Sequence, residues 1–522
     1  MGPHRARPPH RVALPPARAD VTVVVDLGAG TLKLAFAEDG DGTTPIAVPN
    51  ASARARGGAS VSGSALAAVT DVNGLALRRA HDRGYCVNWE LQREVLREAL
   101  EGDLGVDARK CDLVITEAPF ALPATREGLD AMVFEDLGFR RMLVATPAQL
   151  AKRYADRAEA EDGRDAGDLC VLARAGVVLD VGFSFTHATA ICGGVEIARG
   201  IRRLNLGGKT LTNYLKELVS FRQWNMMDES VVIEDAKEKA CYVADDVMAE
   251  LEKCKVKRGG AVRREYVLPD GIHILRGYIK DIDEGKKDKN KNGEDEGEND
   301  EDDEDEDEDD DEDFGAKGPK RGKKKQPKPP MAKALKPAEP DHQVLTLVNE
   351  RFMVPETLFH PSDIGARQCG VTELVTQAVE NDDLCDAQRA LCYLDVFVTG
   401  GCSLFPNFME RFERDLRPLI SESYVIRVRR AKDPILAACL GGVDLARDRK
   451  FFEENAITKE EYLANKASIR EAHQSLEFHP SVRTGRLRAY AREPTKFDAN
   501  RIKAECMKLT PTNEREIERA SE

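Results

Sequence analysis

The sequence predicts an α/β protein of two mixed domains, with a long insertion in the second. Three observations carry that reading. Apolar, β-branched runs end at glycine turns three times: VTVVVDLGAGTLKLAFA (Val21 to Ala37), VVLDVGFSFTHATAICGG (Val177 to Gly194) and VFVTGGCSLFP (Val396 to Pro406). Helical patterns alternate with such runs, as in NWELQREVLREALEGDLG, where Trp89, Leu91, Val95, Leu96, Ala99 and Leu100 share one helical face. The chain has 522 residues, room for two or more domains at roughly 100–200 residues each, and one stretch has the composition of no folded domain.

The glycine turns carry the chemistry. Glycine lets the backbone approach a ligand closely, N–H groups at such turns can cradle phosphate, and a nearby lysine adds a point charge. The markers Asp26, Asp180 and Gly400 stand 154 and 220 residues apart, an order that turns made only for folding do not need. That order resembles the superfamily of actin, Hsp70 and the sugar kinases. ITEAPF (from Ile115), LNLGGKTLTNYL (from Leu204), KEKACYV (from Lys237), NERFMVPETLFHPSDIG (from Asn349) and ITKEEYLANK (from Ile457) narrow the resemblance to actins and actin-related proteins. It runs from roughly Val21 to Ala472, and GFSFTH (Gly182 to His187) is similar to the second phosphate loop of a nuclear, fungal-type branch.

The resemblance implies the actin-like ATPase fold: two ribonuclease-H-like α/β domains around a nucleotide cleft. Domain I then takes residues 20–154 and 425–472, with a small outer lobe at about 37–80, and domain II takes 169–424. Gly40 to Ala68, rich in Gly, Ala and Ser, falls in that lobe and looks shortened against actin's. Ala155 to Asp168 reads as a polar connector. KDPILAACLGGVDLA, from Lys432, reads as a buried helix around a close glycine approach. Residues 1–19, rich in Pro, Arg and His, read as a disordered tail rather than a signal sequence, and 473–522 as a polar extension without periodicity.

The insertion spans 283–340 and separates EYVLPDGIHILRGYI from QVLTLVNERF, which in actin form one hairpin region. Glu294 to Asp313 holds eighteen acidic residues, fourteen of them unbroken from Asp300; without them the net charge of −15 becomes about +3. KGPKRGKKKQPKPPMAKALK then turns basic and proline-rich. Such a segment buries too little apolar surface to offset its ordering entropy and is expected to be disordered. Loop-closure cost grows only with the logarithm of length, so the fold tolerates it.

No run of about 18 apolar residues exists, so no membrane partner is expected. The twelve cysteines show no metal-ligand spacing, and Cys192, Cys241, Cys402 and Cys439 lie in apolar contexts, as reduced buried thiols do.

Carried over residue by residue, the resemblance makes Gly28, Ala29, Gly30 and Thr31 the first phosphate loop, with Lys33 reaching the phosphates. Asp26 and Asp180 would act on Mg²⁺ through water, which that ion gives up reluctantly. Gly182 belongs to the second loop, Lys237 and Glu238 to a helix flanking adenosine, and Gly400, Gly401 and Phe405 to the loop beneath it. Two departures bear on activity. Phe183 stands where actin's second loop carries an aspartate, and Pro147 where actin carries the glutamine that orients the attacking water. Proline has no side-chain donor or acceptor and suits helix position N1. Gln149, two positions on, turns about 200° round a helix and cannot replace it. Phosphoryl transfer rests on positioning and electrostatics, so the two losses are expected to leave hydrolysis weakened or absent. Two states of the cleft stay open: ATP or ADP with Mg²⁺, or an empty site.

The expected function is therefore a noncatalytic subunit of a nuclear complex that exchanges a core histone for its Z-type variant. Its expected partners are a separate Swi/Snf-type ATPase and other subunits, with a cytoplasmic pool beside the nuclear one. Histones are candidate partners for the acidic run, by attraction over about a Debye length, and DNA for the basic one, where KRGKKKQPK also matches a nuclear-localisation pattern. The alternative is an ATP-hydrolysing, actin-like cytoskeletal protein; a sugar kinase fits the actin-specific segments poorly.

Overall fold

The structure, a computed structural model, describes residues 21–38, 45–54, 60–72, 74–161, 174–255, 261–280, 342–474 and 484–487. The expected tail, the insertion at 283–340 with both charge runs, and most of the C-terminal extension lie outside these residues. The chain divides into two units, Met1–Ile279 with Val344–Glu522, and Lys280–Gln343. The fold described below belongs to the first.

Two sheets organise it. The first contains β1 (Thr22–Leu27), β2 (Thr31–Phe36), β3 (Ile46–Pro49), β4 (Asp112–Thr116), β5 (Arg141–Ala145) and, returning from near the chain's end, a short last strand, Ile457–Thr458. The second contains β6 (Gly176–Val181), β7 (Thr186–Cys192), β8 (Val195–Leu204), β9 (Val396–Thr399) and β10 (Val428–Arg430). Both begin with an antiparallel hairpin whose first strand pairs in parallel with a later one: β1 with β2 and β4, β6 with β7 and β9. Spatial order is 3-2-1-4-5 by strand of each sheet. Val23 and Val25 face one core, and Val177, Leu179 and Val181 the other, so β1 and β6 are buried on both sides. The repeated hairpin aims both glycine turns at one cleft.

The helix Trp89–Arg97 forms as the periodicity predicts, capped by Asn88, whose side chain accepts from the N–H of Leu91. A π-helical turn, Glu98–Asp103, carries Ala99 and Leu100 into the same core. Ala437–Arg447 is the expected buried helix, and its glycines are needed. A methyl group on Gly441 would lie 1.8 Å from the Leu150 carbonyl oxygen, and one on Gly442 2.6 Å from Val24. The outer lobe holds strands Ser52–Arg54, Ser60–Ser62 and Leu77–Arg78 around a small core of Ala51, Ala53 and Leu66. Within the described residues no helix is long and apolar enough to cross a membrane.

Two expectations need correction. The connector does not begin at Ala155: the helix Pro147–Glu161 continues into that stretch as far as Glu161. Ala155 is buried, while Lys152 pairs with Asp395 and Asp156, and Arg157 with Asp444, so charges that read as polar linker are helix contacts. The segments on either side of the insertion do pair, as the resemblance implies. Tyr278–Ile279 and Val344–Leu347 each pair antiparallel with Arg264–Val267 between them. The C-terminal extension is not all outside the fold. Gly485 and Leu487 exchange backbone hydrogen bonds with Val144, and Arg486 is buried against Asp130 (2.7 Å) and Glu117 (3.3 Å). One arginine and a few main-chain bonds leave no periodicity to read.

Candidate nucleotide cleft

The first loop turns between Leu27 and Leu32, whose register partners Asp26 and Lys33 face each other across the hairpin. Lys33 Nζ lies 3.1 Å from Asp26 Oδ2, and the Thr116 hydroxyl donates to Asp26 Oδ1 at 2.8 Å. Thr116 also accepts from the Leu27 N–H, at 2.7 Å, which ties the turn to β4. The carbonyls of Gly28 and Gly30 accept from Asn50, and that of Gly30 also from Arg79 at 2.8 Å. Burial alone would lower the pKa of Lys33; attraction to Asp26, and to Asp180, outweighs it and holds the ammonium above its ordinary value. Asp180 moves up to about 6, through burial first and then repulsion from Asp26, with Lys33 opposing.

The second loop leaves β6 at Gly182. Its carbonyls at Gly182 and Phe183 accept from the N–H groups of Gly208 and Lys209, at 3.0 and 2.8 Å, at the start of the helix Gly208–Arg222. Gly207 is required there, since a methyl group would meet both carbonyl oxygens at 2.7 Å. The Phe183 ring packs on the first loop: a methyl group on Gly30 would stand 2.8 Å from its Cγ. The Arg79 guanidinium lies 4.6 Å from the centre of that ring.

The third loop follows β9. Gly400 has φ +89°, and a methyl group on it would meet Val181's carbonyl oxygen at 2.4 Å and Asp180 Oδ1 at 2.6 Å. A methyl group on Gly401 would meet nothing. Phe405 is buried in the second core rather than presented to the cleft. Lys237, on the helix Ser230–Ala240, donates to the carbonyl of Gly208 (3.2 Å) and to Thr212 (2.9 Å), so it fastens two helices together; Glu238 is exposed beside it.

Asp26, Gly28, Ala29, Gly30, Thr31, Lys33, Asp180, Gly182 and Gly400 thus come together at one place, with Gly401 at its edge. Pro147 opens its helix as expected. Thr146 accepts from the N–H of Gln149 and donates its own N–H to the Gln149 side chain, a reciprocal cap that engages the glutamine locally. The residues as they stand do not fit Mg²⁺ with a nucleotide triphosphate. The Phe183 ring takes space between the two phosphate loops and offers no ligand, and Asp26 is engaged by Lys33 and Thr116.

Arg79, Arg203, Tyr85 and Asn50 escaped the sequence reading. The signal for the first was the cluster RRAHDRGY (Arg78 to Tyr85), basic and aromatic inside a lobe otherwise of small residues.

The actin family profile matches residues 18–473. The chain is similar to "Actin-related protein 6" of Oryza sativa subsp. indica, at 38% identity over 84% of this chain and 95% of the relative. It is similar to "Actin-like protein arp6" of Emericella nidulans, at 34% identity over 88% and 97%, and to "Actin-related protein 6" of Drosophila melanogaster, at 31% over 85% and 97%. These relatives spread over plants, fungi and an insect, so a fungal type is not singled out.

Proposed function

This chain belongs to the actin family, as one of its actin-related proteins, and from that premise we propose that it is a noncatalytic subunit of a nuclear chromatin-remodelling complex. In this reading the complex exchanges a core histone for its Z-type variant, a Swi/Snf-type ATPase partner supplies the work, and this chain holds subunits in place. The observation that carries the noncatalytic part is Phe183: a phenyl ring that neither ligates nor hydrogen-bonds, packed on Gly30 where actin's loop has an acid. Pro147 supports it by leaving no side chain to orient water. Nucleotide, ATP or ADP, then has at most a vestigial place in the cleft, outside any hydrolytic geometry. The acidic run from Asp300 to Asp313 would attract histones, and the lysines after it DNA, both from outside the described residues.

The test has two arms. Purified protein with Mg-ATP should release no phosphate above background; release at the rate of monomeric actin, lost in Asp180→Ala, would refute the noncatalytic reading. Protein recovered from nuclear extract only as monomer, or as filaments that sediment with ATP, would refute the scaffold reading and favour a cytoskeletal one.

A further inference from the structure

We propose that this protein closes its own cleft, with Phe183, Phe185, Arg79 and Arg203 joining its two halves where a nucleotide's phosphates would otherwise join them. The inference goes beyond the scaffold reading, which is silent on how the cleft stays shut. Three layers of contact, from floor to rim, carry it.

At the floor, Phe183 of the second sheet's hairpin lies against Gly30 of the first sheet's hairpin, and Arg79 covers the ring. Arg79 donates to the Gly30 carbonyl at 2.8 Å and lies 3.9 Å from Glu234, on a helix of the second core. One side chain therefore touches the first loop, the second loop and the opposite helix. A cation on an aromatic face gains most where water is excluded, and the Arg79 side chain is 16% exposed.

Beside the floor, Phe185 repeats the device. Its ring fills the place of a side chain at Gly84, which has φ +74° and no room for a methyl group, 2.4 Å from the ring's Cε2. The Arg203 guanidinium lies 4.7 Å from the Phe185 ring centre and donates to the Tyr85 hydroxyl at 2.6 Å. Tyr85 in turn donates to the carbonyl of Pro119. The two aromatic residues of GFSFTH thus face the same outer-lobe turn through two arginines, one from each half.

At the rim, Arg276 donates to the carbonyls of Ala67 (3.2 Å) and Val69 (2.9 Å), and the N–H of Gly74 donates to Glu229 at 3.2 Å. Val72, an outer-lobe residue, is buried within the core of the second half. None of these contacts uses a nucleotide.

Hydrogen exchange on the full chain, wild type and Arg79→Ala and Phe183→Ala variants, with and without millimolar Mg-ATP, tests the latch. Wild-type segments 28–31, 66–79 and 270–276 should exchange slowly without nucleotide and no slower with Mg-ATP. Each variant should speed exchange there about tenfold, the factor of about 1.4 kcal/mol of lost contact, while β4 and β6 stay protected. Slowing by Mg-ATP in wild type, or unchanged exchange in both variants, overturns the proposal. Should either variant unfold as a whole, Arg276→Ala at the exposed rim is judged by the same criteria. Protection by Mg-ATP would end the latch and leave the scaffold standing; recovery without a remodelling ATPase would do the reverse.

Discussion

Glu196 offers a quantitative test of how the cleft's base is built. It lies on β8, 1% exposed, and its carboxyl hydrogen-bonds the hydroxyl of Thr146, the residue that caps the helix opening at Pro147. Burial, opposed in part by that bond, raises its pKa from 4.5 to about 7. A carboxyl with a raised folded-state pKa contributes fully below the unfolded value and loses that contribution as pH climbs through the folded one. Glu196 should therefore be neutral in the folded protein at pH 5 and ionised, at a cost, at pH 8. With 1.36 kcal/mol per pKa step, the cost approaches a ceiling of about 3 kcal/mol above pH 7 and vanishes below about pH 4.5. Glu196→Gln keeps an acceptor for Thr146 and cannot ionise. Urea unfolding of wild type and variant should give nearly equal stabilities at pH 5 and favour the variant by about 2–3 kcal/mol at pH 8. A difference that stays constant across that range would refute the assignment of a buried, neutral carboxyl.

Other outcomes follow from the packing. Arg486→Ala leaves the buried Asp130 without its cation, while Glu117 keeps Arg126 at 3.4 Å, and should lower stability by about 3–5 kcal/mol; thermal unfolding unchanged by the substitution would show that residues 484–487 do not dock. Gly441→Ala drives a methyl group into the Leu150 carbonyl oxygen and should cost about 3 kcal/mol or more, whereas Gly401→Ala meets open space and should be tolerated; equal stabilities by chemical denaturation would contradict the helix approach. Replacing residues 283–340 with a short Gly-Ser link should leave the melting temperature nearly unchanged and weaken binding to free histones, most at low salt; loss of the folded core would show that the insertion is structural.

The sequence carried the fold where one pattern repeats: β-branched strands ending at Gly28, Gly182 and Gly400 specify two similar sheets and bring their turns together. It also carried the loss at Phe183, because a phenyl group lacks the chemistry of the acid it replaces. It could not show where that ring goes. The Phe183–Gly30–Arg79 contact joins residues about 50 to 150 positions apart, and nothing local to any of them specifies the other two. The resemblance assigns Phe405 to the loop beneath adenosine, and in the structure its ring packs into the second core. Lys237 lies on a helix as the resemblance implies, and its ammonium donates to the Gly208 carbonyl. The boundary at Ala155 failed because charged residues facing charged partners look like solvent-facing ones in sequence.

The most direct measurement of the central claim is affinity recovery of the full chain from nuclear extract, with identification of what accompanies it. The account predicts a Swi/Snf-type ATPase and a histone-variant exchange activity in the recovered material, with ATP turnover belonging to the partner. Recovery of this chain alone, or as filaments, would contradict it.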